Sequence, residues 1–149
     1  MITITTIFER VFQTIMTNKS VLALVVSSPG ALQNGLLALL TTISSISAVL
    51  VAEDTESATR MVENHQPSMI ILDMSLIKVQ EIIHQIKEQC PHIHLIVLAE
   101  DTAQQKVAEE SGADGVLIKG FPAKNLIEII ESLINQREDT PLPQTDTEG

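Results

Sequence analysis

A chain of 149 residues, 44% of them hydrophobic, is long enough to bury one substantial core and short for two domains. Its 19 acidic against 9 basic residues give a formal charge of -10, which repels a phosphate backbone, and 2% aromatics leave no stacking platform, so no nucleic-acid partner is expected. The lone Cys90 excludes an internal disulfide and fits a reducing compartment, and no run approaches the roughly 18 apolar residues that span a bilayer, so a cytoplasmic protein without a membrane partner is expected.

Residues 1–19 form an N-terminal extension. Ile4, Ile7, Phe8, Val11, Phe12 and Ile15 recur in it at helical spacing, which suits a docking or dimerising helix. Equally, Met16 can be the natural start, because Met-Thr-Asn-Lys-Ser leads directly into the first apolar run. The stretch lacks a basic leader, contains Glu9 and Arg10 and has no small-residue cleavage pattern, so it is not a signal peptide.

From residue 20 to 136, short apolar runs alternate with amphipathic stretches, the pattern of βαβ units and of an α/β fold with a doubly wound parallel sheet. Strands are predicted at 21–26, 47–52, 69–73, 93–98 and 115–118, with helices at 31–42, 55–65, 77–89, 102–111 and 123–136 between them. Pro29-Gly30 separates the first strand from its helix, Thr55 is a candidate cap of the second, Pro67 and Pro91 follow the second and third, and Gly112 ends the fourth. The unbroken apolarity of Val21 to Val26 and Met69 to Leu72 implies strands covered on both faces. Residues 137–149 are acidic, contain two prolines and lack core residues, so a disordered tail is expected there.

Two charges stand at strand exits. Asp73 closes the run Met69 to Leu72, and Lys119 closes Val116 to Ile118. In an open parallel sheet the carboxyl ends of the strands form the crevice where ligands gather, so a carboxylate and an ammonium there suit phosphoryl chemistry. The first strand instead exits into Ser27-Ser28, with no acid. Three roles are open to the Asp73 and Lys119 pair: an ion pair that orients the fifth strand, a phosphoacceptor site, or an unrelated ligand site. Ser27 to Gly30 could cradle an anion with its backbone but lacks P-loop spacing. His92 and His94 are read at the start of the fourth strand, on one face, with no third metal ligand in view. Cys90 sits before Pro91 and no serine occupies a nucleophile elbow, so an enzyme is not expected.

Asp73 after the third strand, Lys119 after the fifth, the segment Ser111 to Pro122 and the first-helix segment Leu32 to Leu40 together resemble the receiver domain of bacterial response regulators over roughly residues 20–136. The resemblance implies a single flavodoxin-like domain with five strands in the order 2-1-3-4-5. It implies that Asp73 matches the aspartate that accepts a phosphoryl group from a histidine kinase, with Mg²⁺ held there by an acidic pair that here falls on Ser27 and Ser28. A hard cation would be left with Asp73 and the Ser75 backbone carbonyl. The family's switch hydroxyl matches Ala99 and its switch aromatic matches Val116, neither of which can play that part. The loop after Asp73 is also about two residues short.

The reading that follows is a pseudo-receiver in two-component signalling, acting through protein contacts, with Mg²⁺ weak or absent and Mg²⁺-dependent phosphorylation impaired. A histidine kinase or another regulator is the implied partner, and a homodimer through 102–136 or the N-terminal segment is possible. The alternatives are a working phosphoacceptor on Asp73 and the receiver part of a longer DNA-binding regulator. Glu53, Asp54 and Glu100 are the acids that could approach the crevice from neighbouring strand ends.

Overall fold

The computed structural model describes residues 21–139. Within it, β1 (Val21–Val26), α1 (Ala31–Leu40), β2 (Ile46–Ala52), α2 (Thr55–His65), β3 (Met69–Asp73), α3 (Val79–Gln89), β4 (His94–Ala99), α4 (Thr102–Glu110), β5 (Gly115–Ile118) and α5 (Ala123–Asp139) alternate along the chain. The strands pair in parallel in the order β2-β1-β3-β4-β5. This is the expected single doubly wound domain. The helix expected over 2–16 and most of the tail lie outside the described residues.

The sheet divides the core because successive side chains of a strand point to opposite faces. Leu24, Val26, Ile70, Leu72, Leu95 and Val97 pack against Ala58 and Val62 of α2, Val79, Ile82, Ile83 and Ile86 of α3 and Ala108 of α4. Ala23, Val25, Met69, Ile71, Ile96 and Leu98 pack on the other face against Leu36 and Leu40 of α1 and Leu126, Ile130, Leu133 and Ile134 of α5. All five residues of β3 are buried, which is why that central strand reads as continuously apolar up to its terminal Asp73.

Several boundaries move, each for a local reason. Helix α1 stops at Leu40 rather than 42 because the Thr41 and Thr42 hydroxyls turn back onto the carbonyls of Ala38 and Leu39. Helix α2 is capped by Asp54, whose Oδ1 accepts the Ser57 N–H at 2.7 Å, so Thr55 is its first helical residue and not its cap. Lys78 adopts φ 62°, so α3 starts at Val79 instead of 77. Ile93 closes a turn onto the Cys90 carbonyl, so β4 begins at His94, and His92 lies outside the strand and exposed. Helix α5 runs through Asp139, three residues into the expected tail, because Gln136, Arg137 and Glu138 are residue types that favour helix. At the end of α4, Gly112 at φ 110° lets its own N–H reach the Glu109 carbonyl and the Ala113 N–H reach that of Ala108, a Schellman closure that sets the angle into β5.

Candidate functional site

Strand register assembles the site. Val26 pairs with Leu72 and Ala99 with Ile118, so the residues one step further, Ser27 beside Asp73 and Glu100 beside Lys119, emerge as neighbours at the carboxyl edge. The backbone continues that alignment: Ser27 N–H donates to the Ala52 carbonyl, Met74 N–H to Leu98 and Lys119 N–H to Ala99, at 2.8 to 3.0 Å. A crevice of about 520 Å³ opens there, lined by Ser28, Gly30, Leu32, Asp73, Lys119 and Phe121 among others. Gly30 supplies the start of α1 at φ 146°, a conformation that a Cβ would strain.

Asp73 and Lys119 meet as expected, with Lys119 Nζ 2.7 Å from Asp73 Oδ1. Two donors of Ser75 reach the same oxygen, its N–H at 2.9 Å and its hydroxyl at 2.8 Å. All three meet Oδ1, and among the described residues Oδ2 has no hydrogen-bond donor of its own. Burial pushes the Asp73 carboxyl up, yet the bonds from Lys119 and Ser75 and the lysine's charge outweigh it and hold the group below the ordinary value of 3.8. Burial likewise pulls Lys119 down, and its bonds to Asp73 and Glu100 win, holding it above 10.5.

Glu100 is the acid that does reach the crevice: its Oε2 lies 2.6 Å from Lys119 Nζ. Asp54 is spent on capping α2, and Glu53 is exposed. Glu100 is also tied to α4, since its N–H donates to Gln104 Oε1 at 2.8 Å while Gln104 N–H donates to the N-cap carboxylate of Asp101 at 2.9 Å. Thus one lysine bridges the end of β3 to the start of α4.

Ser27 is 1% exposed, and its hydroxyl turns to the Ser28 carbonyl at a long 3.4 Å. Its own carbonyl accepts a 3.0 Å bond from Gln33 Nε2, a buried amide on α1 that the sequence reading passed over. Gln33 shares the inward stripe of Leu36 and Leu40, so a polar residue at i, i+3, i+7 spacing was the available signal. Ser28 is exposed on the crevice wall. Ala99 is fully buried and Val116 half-buried against the α2, α3 and α4 side of the core. The Ser75 hydroxyl is a further site group, placed on Asp73 by the loop path after β3. Among the described residues no group of three or more His, Cys, Asp or Glu side chains could hold a metal, and no helix is long and apolar enough to cross a membrane.

Residues 23–131 match the family model of the response regulator receiver domain. The chain is 30% identical over 105 residues to the transcriptional regulator ycf27 of Cyanophora paradoxa, covering 68% of this chain and 44% of that one. It is 30% identical over 83 residues to the transcriptional regulatory protein DegU of Brevibacillus brevis, covering 53% and 35%. The chain therefore spans less than half the length of these curated relatives. Among solved structures, a two-component response regulator of the LuxR family from Aurantimonas sp. SI85-9A1 superposes with a TM-score of 0.71 at 19% identity, over 78% of this chain and 86% of that one. A CheY-like receiver domain protein from Methanospirillum hungatei JF-1 gives 0.70 at 18% identity, over 80% and 98%.

Proposed function

We propose, from the premise that this chain belongs to the response regulator receiver domain family, that it is a pseudo-receiver: a two-component signalling module that works through protein contacts, with Mg²⁺-dependent phosphorylation of Asp73 impaired. The carrying observation is the arrangement around Lys119. Its ammonium lies between Asp73 and Glu100, 2.7 and 2.6 Å away, where neutral Ser27 and Ser28 replace carboxylates. Magnesium demands near-octahedral oxygen ligation and surrenders water reluctantly, so one carboxylate already shared with a lysine and two turn hydroxyls do not fit it. Lys119 alone then faces the charge that spreads over a transferring phosphoryl group. Ala99 offers no hydroxyl to follow such a group.

What this reading leaves for function is surface. Glu109 and Glu110 of α4 and Glu128 and Glu131 of α5 are exposed along with Lys106 and Lys124, whereas Leu126, Ile130 and Leu133 are buried and Ile127 half-buried, so the outer face of this half of the domain is net acidic. A kinase or second regulator presenting basic residues suits it.

One observation favours the rival reading, in which Asp73 is a nucleophile: its Oδ2 has no donor among the described residues, and the residue lines the crevice. An amide NMR titration with Mg²⁺ and then beryllofluoride separates the two. The pseudo-receiver gives unchanged signals for Asp73, Ala99 and Lys119 at millimolar Mg²⁺, whereas saturating shifts that spread into α4 would restore the phosphoacceptor.

A further inference from the structure

Ser75 is exposed at the rim of the crevice, and its hydroxyl donates to Asp73 Oδ1 at 2.8 Å. That is the separation at which a carboxylate can take a proton from an attacking hydroxyl. Lys119 Nζ lies 3.5 Å from the same Oγ, so a cation stands beside the oxygen that would carry new charge. A hydroxyl, a base and an ammonium therefore share one point, and the hydroxyl is its accessible member: the Asp73 side chain is 8% exposed.

We propose that Ser75 is a phosphoryl acceptor, modified without a metal by phosphoramidate-type donors, with Asp73 as general base and Lys119 offsetting charge. This rests on the reading that Asp73 is itself no longer an efficient acceptor. In the step, Ser75 Oγ attacks phosphorus, the Oγ–P bond forms and the P–N bond breaks. Its electron pair leaves with nitrogen, which takes a proton from solvent. The Oγ proton passes to Asp73 Oδ1 and from there to water.

The product adds a charge of about −1.5 to −2 at neutral pH next to Lys119. Glu100 has a side chain 49% exposed and the weaker claim on that lysine once a dianion is present. Its backbone N–H is held by Gln104 of α4, so the modification is reported to the start of that helix.

The test incubates the full chain with phosphoramidate in the presence of a chelator, localises the label by tandem mass spectrometry and challenges it with hydroxylamine, which cleaves acyl phosphates and spares phosphoserine. We expect hydroxylamine-stable label on Ser75, lost in Ser75→Ala and kept in Ser75→Thr, with amide shifts at Glu100 to Gln104. Asp73→Asn, checked for an intact amide spectrum, should slow labelling on the order of 100-fold, the lower end of general-base contributions. No label at Ser75 overturns the proposal and leaves the pseudo-receiver standing. Hydroxylamine-labile label on Asp73 overturns both. An Asp73→Asn rate equal to wild type removes the base.

Discussion

Lysine–aspartate pairs stand at both ends of the β3–β4–β5 half of the sheet, and they are used differently. At the amino ends, Lys87 Nζ sits 2.9 Å from Asp114 Oδ2 and donates as well to the Ile93 carbonyl at 3.0 Å and the Pro91 carbonyl at 3.4 Å. Asp114 Oδ2 also accepts the Leu95 N–H at 2.8 Å, satisfying a strand donor just before β5 begins. There the lysine and the aspartate each bind backbone as well as one another. At the carboxyl ends, Lys119 meets no backbone carbonyl among the described residues and is divided between two acids and a hydroxyl. The first pair staples elements together. The second keeps a cation shared among side chains at an open crevice, which is what a site needs and a staple does not.

If that contrast is right, stability and chemistry should separate on mutation. The largest stability effect belongs to Asp114→Ala, which orphans the Leu95 N–H and one Lys87 bond and should cost about 2–3 kcal/mol in urea unfolding. Asp73→Asn keeps an acceptor for Ser75 and leaves Lys119 with Glu100, so about 1 kcal/mol is expected. Equal costs would break the comparison.

The pH dependence sharpens it further. Asp73 is depressed below 3.8, so its contribution is present above that value and disappears as pH falls through its lower folded value. Lys119 is raised above 10.5, so its contribution is complete below that value and is lost as pH rises through the higher folded one. Chemical unfolding across pH should therefore show an acid limb flattened by Asp73→Asn and an alkaline limb flattened by Lys119→Met. Acid limbs of the same depth in wild type and Asp73→Asn would count against the carboxylate.

Smaller effects come next. Glu100→Gln should change stability by less than about 0.5 kcal/mol, as for other exposed ion pairs, while shifting the amide signals of Asp101 and Gln104. Silent signals would sever the proposed connection between crevice and α4. Lys78→Gly should gain a few tenths of a kcal/mol, because relief of a left-handed residue costing about 1 kcal/mol is partly offset by the entropy of glycine.

Much of this was legible in the chain. Short apolar runs alternating with amphipathic stretches placed five strands and five helices, since burying a strand on both faces leaves a continuous apolar run such as Met69 to Leu72. Asp73 and Lys119 were visible because a charge that ends such a run must emerge at the sheet edge. The missed partners share a physical cause. Gln33 to the Ser27 carbonyl and Lys87 to Asp114 are contacts made between elements, and nothing local in sequence ties their members together.

Composition and periodicity by themselves determined the fold class, the crevice, its two principal charges and the absence of acids at Ser27 and Ser28. Only the tertiary structure decided which acid reaches Lys119, that the Ser75 hydroxyl rests on Asp73, and which carboxylate oxygen stays open. Patterning reports which side of an element is buried, whereas hydrogen-bond geometry depends on strand register and on loop paths of a few residues. A one-residue slip in either would redirect each of these side chains.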